Sequence, residues 1–395
     1  MKQKAQPYTR FLLRVTLERV LTFGPSPMVL EMGDLNVLIG PNASGKSNFI
    51  EALSLMRSTP VRSSKIDLRG TIGGASEWMW KGESAAASID SLVHYPGAKQ
   101  GLQHFLSLET DQQMLRLVDE GVGYGKASAP TPDLDFYYRF QRARGVRAGG
   151  RAKSLERESV DPDSSILSQR RDPKRYPEFA HLADAYEKIR IYRDWTVGRK
   201  AVCRKGQPTD IRNDRLEEDF SNLGVVLSRL RKTPRVKEAI LKGLKDLYEG
   251  VTDYEPVVEG GGIQIFFTEG DFSVSATRLS DGALRYLCLL AILCDPEPPP
   301  VICIEEPELG LHPDILPKLA DLLMQASLRT QLIVATHSDA LVDALTCKPE
   351  TVIVCEKSQG QTTMTRLDKE ELAVWLQKYS LGQLWTRGHL GGTRW

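Results

Sequence analysis

Gly40-Pro41-Asn42-Ala43-Ser44-Gly45-Lys46-Ser47 is the stretch on which the fold turns. It fits G-x-x-x-x-G-K-[ST], with an apolar strand-like run, Leu35–Ile39, directly before it. After it, Phe49, Ile50, Ala52, Leu53 and Met56 recur at helical spacing. A loop that wraps a triphosphate must bring backbone N–H groups against oxygen, which glycine permits, and a helix N-terminus favours the anion. Lys46 supplies a point charge for the β- and γ-phosphates, and the Ser47 hydroxyl suits Mg²⁺. Gly40 to Asn48 is therefore read as a nucleotide-binding run, with ATP as its ligand.

With 395 residues, the chain can hold one large α/β domain with an insertion, or two domains. A net charge of +1 provides no global field for nucleic acid or an acidic membrane surface, so any basic surface must be local. The six cysteines form no C-x-x-C pair and no metal-type spacing with histidine, and several lie in apolar runs. That usage suits a reducing cytoplasm. No apolar stretch reaches membrane-spanning length, and the N-terminus lacks a signal-peptide core.

Two regions read as α/β core. The first holds strand-like Phe11–Leu17, the loop with its helix, and strand-like Ala87–His94. The second contains the continuous apolar runs Val301–Ile304, Leu332–Ala335 and Thr351–Val354, as in a parallel sheet covered on both faces. Helices are expected over Gly282–Cys294 and Asp314–Ser327, with Pro296–Pro300 ending the first. The pattern divides into 1–100 and 251–355 as two parts of one nucleotide-binding unit, 101–250 as a mostly helical insertion, and 356–395 as an extension. Helices over His181–Trp195 and Arg235–Tyr248 are expected in the insertion, and one over Lys369–Tyr379 in the extension. No heptad run predicts a long coiled coil.

A phosphate loop binds nucleotide but needs further groups to hydrolyse it. Val301–Ile304 runs into Glu305-Glu306-Pro307, and two carboxylates at the end of a buried strand call for a compensating cation. Glu305 is the metal candidate beside Ser47, and Glu306 the candidate to polarise water. Leu332–Ala335 is followed by Thr336-His337-Ser338, which puts a histidine on the sheet edge where α/β ligands bind. Alone such a histidine is more often structural; beside the two glutamates and the phosphate loop it reads as functional. Ser280, opening the segment Ser280-Asp281-Gly282, reads as an N-cap or as an anion contact at a helix start.

The order of phosphate loop, L-S-D-G, E-E-P-E and T-H-S resembles the ABC-type ATPase heads of the RecF/SMC/OLD branch. It is most similar to stand-alone bacterial AAA family ATPases that carry E-E-P-E-x-x-L-H-P, here Glu305 to Pro313. The resemblance covers about half the chain. It implies an α/β P-loop NTPase of ABC type whose protomers sandwich two ATP. Ser280, Asp281 and Gly282 would then face the nucleotide on a partner's Lys46, Glu305 would be the Walker B acid, and Glu306 the catalytic base. The 308–313 segment would be the D-loop and His337 the switch histidine. Three positions depart from the pattern: Glu305 replaces the commoner aspartate, Asp281 stands where glycine is frequent, and no Q-loop glutamine lies between Arg57 and Lys99. Trp78-Met79-Trp80-Lys81 occupies that region instead.

The Arg139–Arg157 stretch carries seven cations (Arg139, Arg142, Arg144, Arg147, Arg151, Lys153, Arg157) and one acid, beside Tyr137, Tyr138 and Phe140. A basic loop with aromatics can track phosphates and stack bases; a solvated loop is the alternative. A Trp/Gly-rich end, Leu384 to Trp395, has the look of a docking segment. The expected function is a Mg²⁺-dependent ATPase switch that dimerises on ATP, or forms a higher oligomer. It would act on DNA or control a separate effector in genome maintenance or antiphage defence. No Toprim motif follows the ATPase, so any nuclease is expected on another polypeptide. A slow-turnover scaffold is the alternative; a transporter subunit fits less well.

Overall fold

A computed structural model describes residues 10–61, 74–81, 86–98, 101–111, 114–125, 135–142, 145–149, 153, 155, 159–195 and 198–392. The chain starts with β1 (Leu12–Glu18) and β2 (Met28–Glu31), then β3 (Leu35–Ile39), which feeds the phosphate loop and α1 (Lys46–Ser58). Next come β4 (Ala87–Val93), β5 (Leu102–Asp111), β6 (Met114–Tyr124), β7 (Asp135–Gln141) and β8 (Gly145–Ala148). With β1 and β2 these form an antiparallel sheet of seven strands, ordered β2-β1-β4-β5-β6-β7-β8. The first part of the expected helical insertion is thus corrected to β-structure. Buried Leu106, Leu108, Leu115, Leu117 and Val122 recur on alternate positions along its strands, turning one face to the core.

Helices begin with α2 (Ile166–Gln169) and α3 (Pro177–Glu187). The expected helix to Trp195 stops at Glu187, because β9 (Arg190–Tyr192) extends to pair with Ile302–Ile304. Then follow β10 (Gln207–Pro208), α4 (Leu223–Arg231), α5 (Pro234–Leu247), β11 (Val251–Glu259), β12 (Gly262–Glu269) and β13 (Phe272–Ser275). β10 to β13 make a small antiparallel sheet. The chain continues through α6 (Asp281–Leu293), β14 (Val301–Glu305), α7 (Leu316–Ala326), β15 (Gln331–Ala335) and α8 (Asp339–Asp343). It ends with β16 (Val352–Ser358), β17 (Gln361–Arg366), α9 (Lys369–Leu372) and α10 (Leu381–Thr386). The helix expected to Tyr379 is shorter: α9, then a single tight turn at Trp375–Gln377.

The sheet that positions the site has the order β17-β16-β3-β15-β14-β9, parallel throughout except for β17 at the edge. Its strands are apolar on both faces because each face meets a core. Leu38, Cys303 and Ile333 join a core shared with α1, α3 and the seven-stranded sheet. Val37, Ile39, Ile302, Ile304, Leu332 and Val334 turn the other way, onto α4 to α8. The buried amide of Gln331 ties the two sheets, accepting from Leu12 N–H and donating to the Leu12 and Gly33 carbonyls at 2.8 Å each. Since β3, β15 and β14 run side by side in one direction, the segments after them emerge on one edge.

Candidate functional site

At the end of β3 the loop takes the backbone its glycines permit. Gly40 has φ 148° and Gly45 φ 100°. A Cβ on Gly40 would lie 2.2 Å from the Cys355 carbonyl oxygen, and one on Gly45 2.3 Å from Thr362 Oγ1. The glycines therefore let the loop press against β16 and β17. Lys46 turns its ammonium back onto the loop and donates to the Gly40 and Pro41 carbonyls at 2.8 and 2.9 Å. Asn48 donates to Thr22 Oγ1 at 2.8 Å, which fixes the first turn of α1 to the β1–β2 connection. Pro41, Asn42, Ala43 and Ser44 complete the curve, Ala43 with φ 63°.

Residues far apart in sequence meet here. Ser47 Oγ donates to Glu305 Oε2 at 2.8 Å, joining the two motifs expected to share a metal. Glu305 Oε1 is buried without a hydrogen-bond partner. Its neighbour is Arg193, whose Nε lies 3.6 Å away and which also pairs with Glu51. Burial disfavours the Arg193 charge, and Glu51 and Glu305 more than offset that. The donor set suits Mg²⁺: one carboxylate and one hydroxyl, with the remaining positions open to phosphate oxygens and water. Among the described residues, no cluster of three or more His, Cys, Asp or Glu gathers to cage a metal.

Beside this pair, Glu306 has φ 49°, and its N–H donates to the Ala335 carbonyl at 2.8 Å. Such a backbone at a non-glycine residue is costly and clusters at functional sites. His337 Nε2 lies 3.4 Å from Glu306 Oε1. Burial, followed by the charge of Glu308, pushes Glu306 up to about 8, with Lys46 opposing. Glu308 takes a role that spacing did not show: its Oε1 accepts from Thr336 Oγ1 at 2.6 Å and from His337 N–H at 2.9 Å. It locks the acidic segment to the histidine segment.

Ser280 caps α6, accepting from Ala283 N–H at 3.1 Å, so its N-cap role is present while the residue stays exposed. Asp281 is held by Arg204 and by Gly198 N–H at 3.0 Å. Buried Arg204 also donates to the Leu279 carbonyl at 2.6 Å, setting the backbone just before Ser280. Gly282 comes so close to the 308–313 segment that a Cβ there would lie 2.4 Å from Gly310 O. The hydrogen bonds of Ser280 and Asp281 among the described residues stay within this neighbourhood; none runs to the 40–47 loop. Arg193 and Arg204 carry no sequence signal of their own, since each is defined by partners distant in the chain.

The Arg139–Arg157 stretch is a different object from the expected basic loop. Its described part is the β7–β8 hairpin with Gly149, followed by exposed Lys153 and buried Leu155. Tyr137, Tyr138 and Phe140 are buried in the core and are therefore withdrawn from base stacking. Arg139 pairs with Asp119 and Arg142 with Asp163, at 2.6 and 2.5 Å. Arg144, Arg151 and Arg157 lie outside the described residues. The Trp/Gly-rich end folds back, too: Trp385 is buried and donates to the Gly392 carbonyl at 3.0 Å, while Trp395 lies outside the described residues.

The family described as "AAA domain, putative AbiEii toxin, Type IV TA system" matches residues 35–95 and 112–343. No curated protein matches the chain significantly. Among solved structures, an Smc head bound to the C-winged helix domain of ScpA superposes with a TM-score of 0.57 at 12% identity, covering 91% of this chain and 99% of that one. An Smc head domain with an extended coiled coil, bound to the C-terminal domain of ScpA and derived from Pyrococcus furiosus, gives 0.56 at 13% identity, over 93% and 99%.

Proposed function

The chain belongs to this AAA-domain family and folds as a RecF/SMC-like ABC ATPase head, and from that premise we propose an ATP-hydrolysing switch that pairs around two ATP. The observation that carries the proposal is the 2.8 Å contact of Ser47 with Glu305, beside the Glu306–His337 pair. In this reading Lys46 leaves its loop carbonyls for the phosphates. Glu305 and Ser47 would hold Mg²⁺, which would supply charge neutralisation at the transferring phosphoryl group. Glu306 accepts the proton of the attacking water, and His337, fixed by Glu308 through its backbone, orients on the same face.

Pairing of two protomers is supported by the exposed surface around Ser280. Ser280, Asp281 and Leu309 are exposed on one patch, joined by the close approach of Gly282 to Gly310. Arg204 stiffens that patch from behind. It is a surface shaped to meet a second copy, with Ser280 and Gly282 facing the partner's nucleotide. The output passes to a separate effector protein or to DNA, in defence or genome maintenance.

Steady-state ATP turnover of the wild type and of Glu306→Gln tests this. Removing a general base typically costs about 10²–10⁴-fold, so the variant should bind ATP and turn it over that much more slowly. Equal turnover would remove Glu306 from the mechanism. Repeating the assay with DNA separates a DNA-stimulated switch from a slow scaffold, whose rate stays unchanged.

A further inference from the structure

At the end of α1 remote from the phosphate loop lies a cavity of about 610 Å³, between the last turn of α1, the end of α3 and the 212–215 loop. Five cations line it (Arg57, Lys188, Arg190, Arg212 and Arg215), against two carboxylates, Asp184 and Glu187. Most of these are already committed. Lys188 pairs with Asp184 at 2.7 Å, Arg171 with Glu187 at 2.6 Å, Arg212 with Asp214 at 2.5 Å, and Arg57 with Glu218.

Arg190 and Arg215 differ: neither forms an ion pair among the described residues. Arg190 is only 6% exposed, and its Nε–H is buried without an acceptor; the Nε–H of Arg215 is in the same state. Arg190 Nη1 donates to the Glu187 and Ile189 carbonyls at 3.1 and 2.8 Å, so what is left over on this wall is the Nε–H of each guanidinium, a buried donor that is costly unless an anion in the cavity accepts from it. Burial and then the charge of Arg215 hold Arg190 below the ordinary guanidinium range, and Glu218 and Glu217 offset this only in part.

Size and wall chemistry narrow the anion. The volume falls in the range of small-molecule sites. Asp184 and Glu187 on the wall repel a continuing phosphate backbone but accept hydrogen bonds from hydroxyl or amino groups. We propose that this cavity is an effector site for a small phosphate monoester of nucleoside size, its phosphate held by Arg190 and Arg215 and its polar body by the acidic wall. The cavity has a physical route to the nucleotide site. A smaller cavity of about 170 Å³ shares Ser54 and Arg57 with it and reaches Ile191, Arg193 and Glu218. Glu218 accepts from Ile191 N–H at 2.8 Å, and Arg193, two residues on, reaches Glu51 and Glu305.

Calorimetric titration of the full chain with AMP tests the site, with inorganic phosphate and a twelve-nucleotide single-stranded DNA as parallel probes. AMP should bind wild type and Lys46→Ala with the same affinity, and inorganic phosphate should compete with it. Arg215→Gln should weaken AMP about tenfold or more, the loss expected for one charge-assisted hydrogen bond. On the unmutated chain, AMP should slow deuterium exchange in 54–61 and 188–192 and leave 40–47 unchanged. Loss of AMP binding in Lys46→Ala with retention in Arg215→Gln would assign AMP to the phosphate loop and overturn the proposal. So would the absence of saturable AMP binding, or displacement of AMP by the DNA strand with an affinity that rises with strand length.

Discussion

Lys46 and Glu306 show how single residues are prepared for charge. The Lys46 ammonium is buried and satisfied by two loop carbonyls, so in the proposed reading it would exchange those for phosphate oxygens without first being stripped of water. Lys46→Ala should abolish measurable ATP binding while the thermal transition moves little; unchanged nucleotide affinity in equilibrium dialysis would refute its assignment. Glu306 is prepared differently, by a left-handed backbone and by burial beside Glu308. Glu308 explains why the T-H-S segment follows the acidic segment so closely in space. It accepts from both Thr336 and His337, so Glu308→Ala should leave ATP affinity intact and lower turnover. Removing the acceptor from these two part-buried donors costs up to about 1–3 kcal/mol each. A turnover rate equal to wild type would show that the lock is dispensable.

Between elements, ion pairs set angles that strand pairing leaves open. Arg231 at the end of α4 binds Asp253 on β11 at 2.5 Å, and Lys237 of α5 binds the same carboxylate at 3.0 Å. The Arg231 hydrogen bond holds Asp253 well below the usual carboxylate range. A depressed folded-state value means the stabilisation is full above the unfolded value near 3.8 and is lost as pH falls through the folded one. Because Asp253 is 30% exposed, screening reduces the effect to about 1 kcal/mol. Asp253→Asn should therefore lower the melting temperature at pH 7, and the deficit should shrink between pH 4 and pH 2. A deficit independent of pH would attribute the loss to packing instead. The β7–β8 hairpin illustrates the same balance at Arg139 and Arg142, which pair with Asp119 and Asp163, whereas its Arg147 is exposed and donates to Gln141 Oε1 at 3.4 Å.

For the whole molecule, the parallel order of β3, β15 and β14 places the nucleotide machinery on one edge, while Ser280 and Gly282 sit against Gly310. In the proposed reading, a second copy brings its Ser280 and Gly282 to this edge. Ser280→Arg places a large cation on the exposed start of α6 at the cost of one cap, about 1 kcal/mol. Light scattering should show the Glu306→Gln chain pairing on ATP and the Ser280→Arg, Glu306→Gln chain remaining single. If the double variant still pairs, the two copies meet through another face.

The sequence by itself determined the phosphate loop, the acidic strand end, the histidine and the capped helix start. Each of these is local: a turn chemistry or a buried run followed by a polar residue. It also determined the covered parallel sheet, because continuous apolar runs such as Val301–Ile304 admit no solvent face. Tertiary structure alone decided the rest. Leu102–Asp111, Met114–Tyr124, Asp135–Gln141 and Gly145–Ala148 became strands because a period of two, broken by charged positions, gains its meaning only when a facing core is present. Tyr137, Tyr138 and Phe140 turned inward for the same reason. Arg193, Arg204 and Glu308 acquired roles through partners far along the chain, and electrostatic contacts of that kind depend on where packing brings charges, not on how residues are spaced.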